Sequence, residues 1–366
     1  MQTDRVTLLI AGKEHSYWER YEIDSDLMIP ADAWSVSLGL SGGQMPPGVM
    51  EGASVVVKVG NDTVLTGYVD EISHSVNKTT HTLTMSGRDL AADLLDCSAP
   101  IITRAQLSLK EIVAAILGEF KKTKIRIDAD LTYARKKIST QPGDTAWDAL
   151  ANAAESNGLW SWFEPDGTLV VGGPDYSSPI VATLILRRDG KGNNVISLDK
   201  TSSHVCRYSR VTVLGQTPGT ESEQGKPDLH ASWKDSGVLR HRPKIVFDHE
   251  AENNGMCSAS AKKLIGDSRL RGLTLTATVQ GHRIVAPGQP FDKTLWLPGQ
   301  RIRVISEPHG IDGVYFLMAR KFIRSRMDGT RTVLTLKEDG VWLAGAHPHK
   351  KHKRGKNAAP LQIITA

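Results

Sequence analysis

The residues from Val64 to Ala99 constrain the fold of this chain more than any other segment. Two runs rich in Val, Thr, Ile and Tyr flank a polar turn at Asn77-Lys78-Thr79, and a short Leu-rich helical pattern follows Ser86-Gly87-Arg88-Asp89. Branched and aromatic side chains pack well on a pleated surface, so the pattern predicts a β-hairpin that leads into a helix. We find no nucleophile, metal-ligand or phosphate-loop pattern in this segment.

The length and composition indicate a folded chain of several domains. It has 366 residues, of which 40% are hydrophobic and 23% are charged, so two to four domains without bulk disorder are expected. The longest apolar runs, such as Ile112 to Leu117, are far shorter than a membrane span, and we predict no membrane segment. The N-terminal residues carry no signal-peptide pattern, so we expect synthesis and folding in a cytoplasm.

The distribution of charge argues against a nucleic-acid-binding protein, and the cysteines argue against a disulfide-linked or zinc-binding one. Five of the Lys and Arg residues lie between His347 and Lys356, and removing them from the 45 basic residues leaves 40 against 40 acidic ones. A neutral body argues against a nucleic-acid-binding face, which normally carries spread basic charge. Cys97, Cys206 and Cys257 are odd in number and scattered, so reduced, packed thiols are predicted rather than disulfides or a zinc site.

Short strands separated by turn residues fill the first hundred positions. Trp34 to Leu38 and Val55 to Val59 alternate apolar and polar side chains with the period of a strand. Gly and Pro interrupt the chain between them, as at Ser41-Gly42-Gly43. This pattern predicts a small β-barrel or β-sandwich over residues 1–99, of which we take the barrel as the prediction.

Residues 100–178 change to a mixed pattern of helices and strands. Ser108 and Glu111 have the spacing of a capping box, and a second helix is expected from Asp144-Thr145 to a C-cap at Gly158. A hairpin through Pro165-Asp166-Gly167 follows. These patterns predict a small α/β module that resembles LysM-type peptidoglycan-binding modules. Trp147 and Trp162 are interpreted as core residues first and as sugar-binding aromatics second.

Strand patterns return in residues 179–345, which are predicted to form a second β-barrel with an α-helical insertion at about 217–271. Within the insertion, Thr217 to Asp235 has the composition of a long surface loop, and Glu250 to Leu270 has that of a helix. The fold class predicted for the chain is mainly β with α+β inserts. It consists of two related antiparallel β-barrel domains plus a small α/β module.

The second barrel echoes the first in sequence. Aligning Gly52 with Gly299 places Val55 opposite Ile302, and the hairpin residues Leu83 and Leu334 then also align. Two similar barrels in each chain would let three chains form a closed ring with six near-equivalent surfaces.

Several segments resemble the baseplate hub proteins of Mu-like contractile-tailed phages, a family of Mu tail protein P-like and T4 central hub-like proteins. The resemblance is carried by LTGYVD, GRD and DLLDCSA between Leu65 and Ala99, and by three later segments. These are PGDTAWDAL from Pro142, RVTVLGQ from Arg210 and LWLPG from Leu295. Together they cover nearly the whole chain to about Leu343.

The resemblance implies a structural protein of the virion, assembled in the host bacterial cytoplasm. It implies a homotrimer that joins the sixfold tail tube to the threefold central spike and lines the channel through which DNA passes. The implied partners are the chain itself, the tail tube protein, the central spike protein and other baseplate proteins, with DNA only in transit. It implies no cofactor and no enzymatic activity.

No catalytic, cofactor-binding or metal site is predicted from the residues themselves. Gly190-Lys191-Gly192 lacks the spacer and the hydroxyl residue of a phosphate loop. Asp70 and Glu71 are adjacent on a predicted strand, so their side chains would point to opposite faces. Arg240-His241-Arg242-Pro243 is interpreted as surface charge.

Two alternative functions stay open at this point. The first is a peptidoglycan-binding or hydrolytic component of the cell-puncturing device, for which Asp144, Glu155 and Asp166 would be the acids to test. Cap and turn positions already explain Asp144 and Asp166. The second is a nucleic-acid-binding protein that acts through its basic tail.

Residues 346–366 are predicted to be a flexible basic tail that the resemblance does not cover. His347, His349 and His352 are near enough to chelate a metal, but a solvated tail is the simpler interpretation. A docking arm that becomes ordered only against a partner is the alternative, since Leu361-Gln362-Ile363-Ile364 could add a strand to a neighbour. Truncation before His347 separates the two interpretations, because baseplates that assemble normally without the tail would exclude a docking arm.

Overall fold

A computed structural model describes residues 4–40, 46, 48–122, 124–129, 135–139, 143–217, 226–249 and 251–341. The predicted loop at Ser41-Gly42-Gly43 and the tail from 346 to 366 lie outside these residues. None of the helices in the described part of the chain is long and apolar enough to cross a membrane.

The first barrel is built from the short alternating strands that the sequence predicts. Its strands are β1 (Val6–Ile10), β2 (Lys13–His15), β3 (Arg20–Asp26), β4 (Ala33–Gly39), β5 (Ser54–Val59), β6 (Asp62–Tyr68), β7 (Glu71–Val76) and β8 (His81–Arg88). Strands β7 and β8 form the predicted hairpin, and helix α1 (Ala92–Asp96) follows directly. Asp70 lies between β6 and β7 rather than on a strand beside Glu71, which corrects one detail of the sequence interpretation.

The α/β module follows α1 and has its own core. Its elements are β9 (Thr103–Leu107), α2 (Leu109–Glu119), β10 (Ile125–Asp128), β11 (Arg135–Ser139), α3 (Ala146–Glu155), β12 (Trp160–Phe163) and β13 (Leu169–Gly172). Both helices begin with a capping box, Ser108 with Glu111 and Thr145 with Asp148. The cap of α3 is therefore Thr145 and not Asp144. Gly158 has a φ of +69°, as the predicted left-handed turn after α3 requires.

The second barrel contains one long strand that the sequence pattern does not distinguish. Its strands are β14 (Ile180–Leu186), β15 (Ser197–Ser202), β19 (Leu273–Gln280), β20 (Arg301–Ser306), β21 (Ile311–Ser325) and β22 (Gly329–Glu338). All neighbouring pairs are antiparallel except β14 and β20, which are parallel. The barrel is thus antiparallel, as predicted, with one exception at its first strand.

The region predicted as an α-helical insertion is a small α/β unit. It holds β16 (Arg210–Thr217), β17 (Lys226–Lys234), β18 (Pro243–Asp248) and α4 (Asn254–Leu270). The helix is confirmed, with Asn253 as its N-cap, but the predicted surface loop is wrong where β17 pairs with β16. A polar composition does not exclude a strand whose outer face meets water.

The two barrels are fused by one pair of strands. The C-terminal half of β21 pairs with β3 from Ala319–Asp26 to Arg324–Tyr21, so a single sheet runs in the order β15-β19-β22-β21-β3-β4-β8-β7. One continuous hydrophobic cluster fills both barrels. The ends of this sheet are β15 and β7, and each has one edge that pairs with no other strand among the described residues.

Candidate assembly interface

The two barrels have the same strand order. Six strands of the first barrel follow the spatial order β1-β5-β6-β8-β4-β3, in which a single bridge, Gly67–Asp89, links β6 to β8. Six strands of the second barrel follow β14-β20-β21-β22-β19-β15. Numbered along the chain, the two orders are identical, so β3 corresponds to β15, and β6 with β7 corresponds to the long β21. The first strands differ in direction, since β1 is antiparallel to β5 whereas β14 is parallel to β20.

A shared irregularity supports this correspondence of strands. In the first barrel, Gly67 pairs with Asp89 and Glu71 pairs with Ser86. Gly67 and Glu71 are four residues apart, whereas their partners are only three residues apart. In the second barrel, Tyr315 pairs with Glu338 and Ala319 pairs with Thr335, so a spacing of four residues again lies opposite a spacing of three. An extra residue of this kind is a β-bulge, and it occurs at the same place in both barrels.

The correspondence agrees with one half of the sequence alignment and corrects the other. Val55 pairs with Gly67 and Ile302 pairs with Tyr315, so Val55 and Ile302 are equivalent, as predicted. Leu83 is equivalent to Thr332, and Leu334 to Met85, which is a shift of two residues from the alignment. Strand side chains repeat every two residues, so a two-residue shift leaves the apolar pattern unchanged and escapes detection in the sequence.

The internal joint is the pairing of β3 with β21, and its side chains are buried. Phe322, Tyr21 and Ile23 are each at most 1% exposed, and Arg320 lies over the Phe322 ring with its guanidinium carbon 4.0 Å from the ring centroid. Arg320 donates to the carbonyl oxygens of Ile23, at 2.9 Å, and Val64, at 3.3 Å. Burial lowers the pKa of Arg320 to about 10, although the negative charges of Asp32 and Asp24 act to raise it.

A buried histidine completes the internal joint. The Nε2 atom of His282 is 2.8 Å from the Tyr21 hydroxyl, and its Nδ1 atom is 3.0 Å from the Thr332 hydroxyl. Thr332 donates its own proton to the Gly281 carbonyl, so His282 donates from Nδ1 and accepts at Nε2. This neutral tautomer fits its environment, because burial lowers the pKa of His282 to about 3.

The two free edges present the same backbone without that packing. On β7, the side chains of Ser73, His74, Ser75 and Val76 are exposed, and Val76 reaches 64%. On β15, only Leu198 is buried. At the hairpin end the Asn77 N–H donates to the Thr80 carbonyl, so by alternation the N–H groups of Ile72, His74 and Val76 point away from β8. Unpaired N–H and C=O groups of this kind are a template for another strand.

The face of the long sheet that points away from the core is rich in hydroxyl groups. Its Ser and Thr residues are Ser35, Ser37, Ser73, Ser75, Thr82, Thr84, Ser86, Ser197, Thr201, Thr274, Thr276, Thr278 and Thr335. Several charged side chains on this face are paired, since Lys321 lies 3.2 Å from Asp24 and 3.5 Å from Glu22. The surface around β3 and β21 is therefore polar, with its acidic and basic side chains paired, and Lys337 on β22 donates to the Thr274 hydroxyl.

The acids proposed for a hydrolase have structural partners. Glu155 forms an ion pair with the buried Lys263 at 3.0 Å, and Asp166 accepts a hydrogen bond from the Thr168 N–H inside a turn. The Asp144 carbonyl accepts from the Ala99 N–H, which ties the module to α1. Asp70, the other acid considered, binds Arg88 at 2.6 Å.

The remaining candidates also have structural positions. Trp147 is 7% exposed in the core of the module, and the partly buried Trp162 packs in a smaller cluster beside Trp160. The three cysteines are free, but Cys97 is exposed rather than packed, while burial raises the pKa of Cys257. Within the described residues, no group of three or more His, Cys, Asp or Glu side chains could hold a metal ion.

Sequence profiles of phage tail proteins match four consecutive parts of the chain. Residues 5–89 match the N-terminal domain of the Mu phage baseplate assembly protein GpP-like family, and residues 91–173 match the second domain of baseplate hub protein gp44-like proteins. Residues 207–265 and 267–341 match the third and C-terminal domains of NMB1110-like tail proteins.

Whole-chain comparisons agree with these matches. The tail protein of Neisseria meningitidis MC58 is 40% identical, and its crystal structure aligns with a TM-score of 0.79 over 92% of this chain and 97% of that one. The chain belongs to the family of Mu-like phage baseplate hub proteins. Baseplate hub protein gp44 of Escherichia phage Mu is 22% identical, over 96% of this chain and 93% of gp44. The 43 kDa tail protein of prophage MuSo2 from Shewanella oneidensis is 23% identical, with a TM-score of 0.77 over 92% of this chain and 98% of that one.

Proposed function

We propose that this hub protein acts as a homotrimeric adaptor between a sixfold tail tube and a threefold central spike. The observation that supports the proposal is the equivalence of the two barrels, down to a shared bulge. Three chains would supply six barrels with near-sixfold symmetry on one side, while the module and the α4 unit would repeat three times. A closed ring also satisfies the two free edges that one chain leaves open.

The internal joint predicts how neighbouring chains would pair. Since β15 corresponds to β3, and β7 to the C-terminal half of β21, the edge of β15 in one copy should meet the edge of β7 in the next. Tyr21 pairs with Arg324 in the internal joint, and their equivalents are Leu198 and Val76. The proposed antiparallel register therefore places Leu198 of the neighbouring copy opposite Val76, and its Lys200 opposite His74.

In such a ring the hydroxyl-rich face of the sheet would line a central channel. Ser and Thr side chains hydrogen-bond to water, and paired charges attract phosphate weakly compared with a basic surface. DNA would therefore slide past without being retained. We propose that the partners are the chain itself, the tube protein, the spike protein and other baseplate proteins, that DNA is met only in transit, and that the virion baseplate is the site of action.

We further propose that the protein has no enzymatic role and that its parts are a barrel at 1–99, a module at 100–178, a second barrel at 179–345 and a basic tail. Glu155 and Asp166 are held in an ion pair and a turn, which supports this over the hydrolase. The packing of Trp147 in the core similarly disfavours the sugar-binding alternative.

Disulfide trapping tests the proposed register. In a Cys97→Ser background, His74→Cys combined with Lys200→Cys should yield covalently linked trimers on oxidation, with no larger species, because a ring of three closes. The matched control is His74→Cys with Thr201→Cys, whose side chains would lie on opposite faces of the joined sheet. Equal crosslinking in both pairs, or an open ladder of oligomers, would contradict the register.

Removing one edge donor tests the assembly itself. Val76→Pro deletes an N–H that points away from β8, so light scattering should show monomers where the parent chain forms trimers. Val76→Ala keeps the N–H and should keep the trimer. A parent chain that stays monomeric at micromolar concentration would count against the proposed trimer.

A further inference from the structure

Strand β14 is an edge strand whose sequence favours pairing with further strands. It pairs with β20 on one side and, among the described residues, with no strand on the other. Its residues Ile180–Leu186 are all aliphatic except for one Thr, and they include neither a charge nor a Pro. Uncharged segments of this length and composition are typical of the strands that stack in amyloid. An open β14 edge would therefore be more prone to aggregate than the polar edges of β7 and β15.

Two asparagine side chains lie along this edge. The Oδ1 atom of Asn194 accepts from the Ile185 N–H at 2.7 Å, and its Nδ2 atom donates to the Thr183 carbonyl at 2.8 Å. Asn193 binds Arg187 in the same way, accepting from its N–H at 2.7 Å and donating to its carbonyl at 3.2 Å. The Asn194 N–H also donates to the Ile185 carbonyl at 3.3 Å.

These contacts resemble the pairing of β14 with another strand. A carboxamide carries a carbonyl acceptor and N–H donors, which are the groups that a peptide unit offers. The Leu186 carbonyl accepts from the Glu307 N–H, next to the end of β20, so by alternation the backbone groups of Ile185 and Arg187 point away from β20. The two carboxamides therefore occupy the backbone groups to which a further strand would bind.

The first barrel covers the equivalent strand by other means. In the spatial order of the barrels β1 corresponds to β14, and the outer edge of β1 pairs with β2 from Leu8–His15 to Ile10–Lys13. We propose that Asn193 and Asn194 cap the edge of β14 and thereby restrict strand pairing between copies to β7 and β15. The restriction rests on the proposed ring, whereas the cap itself does not.

Hydrogen–deuterium exchange on the full chain, with residue resolution, tests the cap by itself. In the double variant Asn193→Ala, Asn194→Ala the amides of Ile185 and Arg187 should exchange about tenfold faster, because each loses its carboxamide acceptor. The matched control is Asn61→Ala, in the turn between β5 and β6, which should leave both amides protected. Unchanged exchange in a double variant that circular dichroism shows to be folded would overturn the cap.

A single variant keeps this test decisive if the double variant does not fold. Asn194→Ala removes only the acceptor of the Ile185 N–H, so exchange should rise at Ile185 and not at Arg187. Equal exchange at the two amides would show that Asn194 does not hold this edge.

Sedimentation velocity tests what the cap restricts. In a Val76→Pro background, which disables the β7 edge, the chain with both asparagines should be monomeric. Removing both carboxamides should then yield a closed dimer, because two copies of β14 that pair antiparallel leave no further β14 edge. With Val76 intact, three uncapped edges on each ring should link trimers into larger particles.

The outcomes separate this proposal from the proposed ring. An uncapped Val76→Pro chain that stays monomeric although its Ile185 amide exchanges fast would show that the asparagines do not restrict pairing. Trimers of the capped Val76→Pro chain would instead contradict the pairing proposed for the ring. In that case a dimerisation of rings that appears only after removal of the carboxamides would still support the cap.

Discussion

The internal joint and the two free edges occupy equivalent positions in the two barrels, yet their side chains differ. The joint buries Phe322, Tyr21 and His282 almost completely. The equivalent of Phe322 on the free edge is His74, which is exposed, and the equivalent of Ile23 is the exposed Lys200. The internal joint forms within one chain during folding, so its side chains can be apolar. A free edge is exposed to water until another copy binds, so its side chains must be polar enough to keep the single chain soluble.

The largest expected difference between the two positions is in the stability of the single chain. Phe322→Ala should lower the free energy of unfolding by about 3–5 kcal/mol, because it leaves a cavity beside Arg320 in a closed core. His74→Ala, at the equivalent position, should cost at most about 0.5 kcal/mol, since the side chain is already in water. Urea unfolding of both variants measures the contrast, and similar losses would mean that the two joints are not built differently.

The second prediction concerns the dependence of the folding stability on pH at the internal joint. Burial lowers the pKa of His282 to about 3, while the unfolded chain binds that proton near pH 6.5. The stability contributed by neutral His282 is thus present above pH 6.5 and is lost as the pH falls toward 3. By pH 5 the loss should reach about 2 kcal/mol, as followed by thermal unfolding across pH.

Asp32 titrates in the opposite sense and must be separated from His282. Burial raises its pKa to about 6, so the folded chain becomes less stable as the pH rises from about 4 to 6. The measurement therefore uses an Asp32→Asn background, in which His282→Asn should remove the part of the slope between pH 5 and 7 that favours folding at higher pH. The slope that then remains belongs to other carboxyls such as Asp89, whose pKa burial also raises. An unchanged slope would show that His282 is not the group that makes the internal joint sensitive to acid.

The smallest effect is expected at the proposed contact between copies. Lys200→Glu places a carboxylate opposite His74 of the neighbour, which should strengthen trimer association by about 0.5 kcal/mol per contact at low salt. Lys191→Glu, on a turn outside the edge strands, is the matched control. Sedimentation equilibrium gives the association constants, and equal effects of the two changes would place Lys200 away from the interface.

Much of the local structure could be predicted from individual residues. The hairpin around Asn77, the capping box at Ser108 and the helix before Leu270 follow from side-chain chemistry within a few positions. The sequence does not predict strand β17, because its polar residues match a loop in composition. It does not predict the pairing of β3 with β21 either, because nothing in either segment marks the other as its partner.

The rings of His74 and His81, which are stacked with centroids 4.4 Å apart, illustrate the same division. The two residues are seven positions apart on a predicted hairpin, and a count of side chains facing one way could have brought them together. The register of β7 with β8, set by the two-residue loop after Asn77, brings the rings into contact.

From the sequence alone, the alternation of apolar and polar residues determined which face of each strand is buried, and the repeated pattern at Val55 and Ile302 suggested two similar barrels. Only the tertiary structure decided which edges meet, where the bulge shifts the register, and that β7 and β15 each keep one free edge in the described part of the chain. The physical reason is that side chains encode faces, whereas strand edges are made of backbone N–H and C=O groups that are the same in nearly every residue.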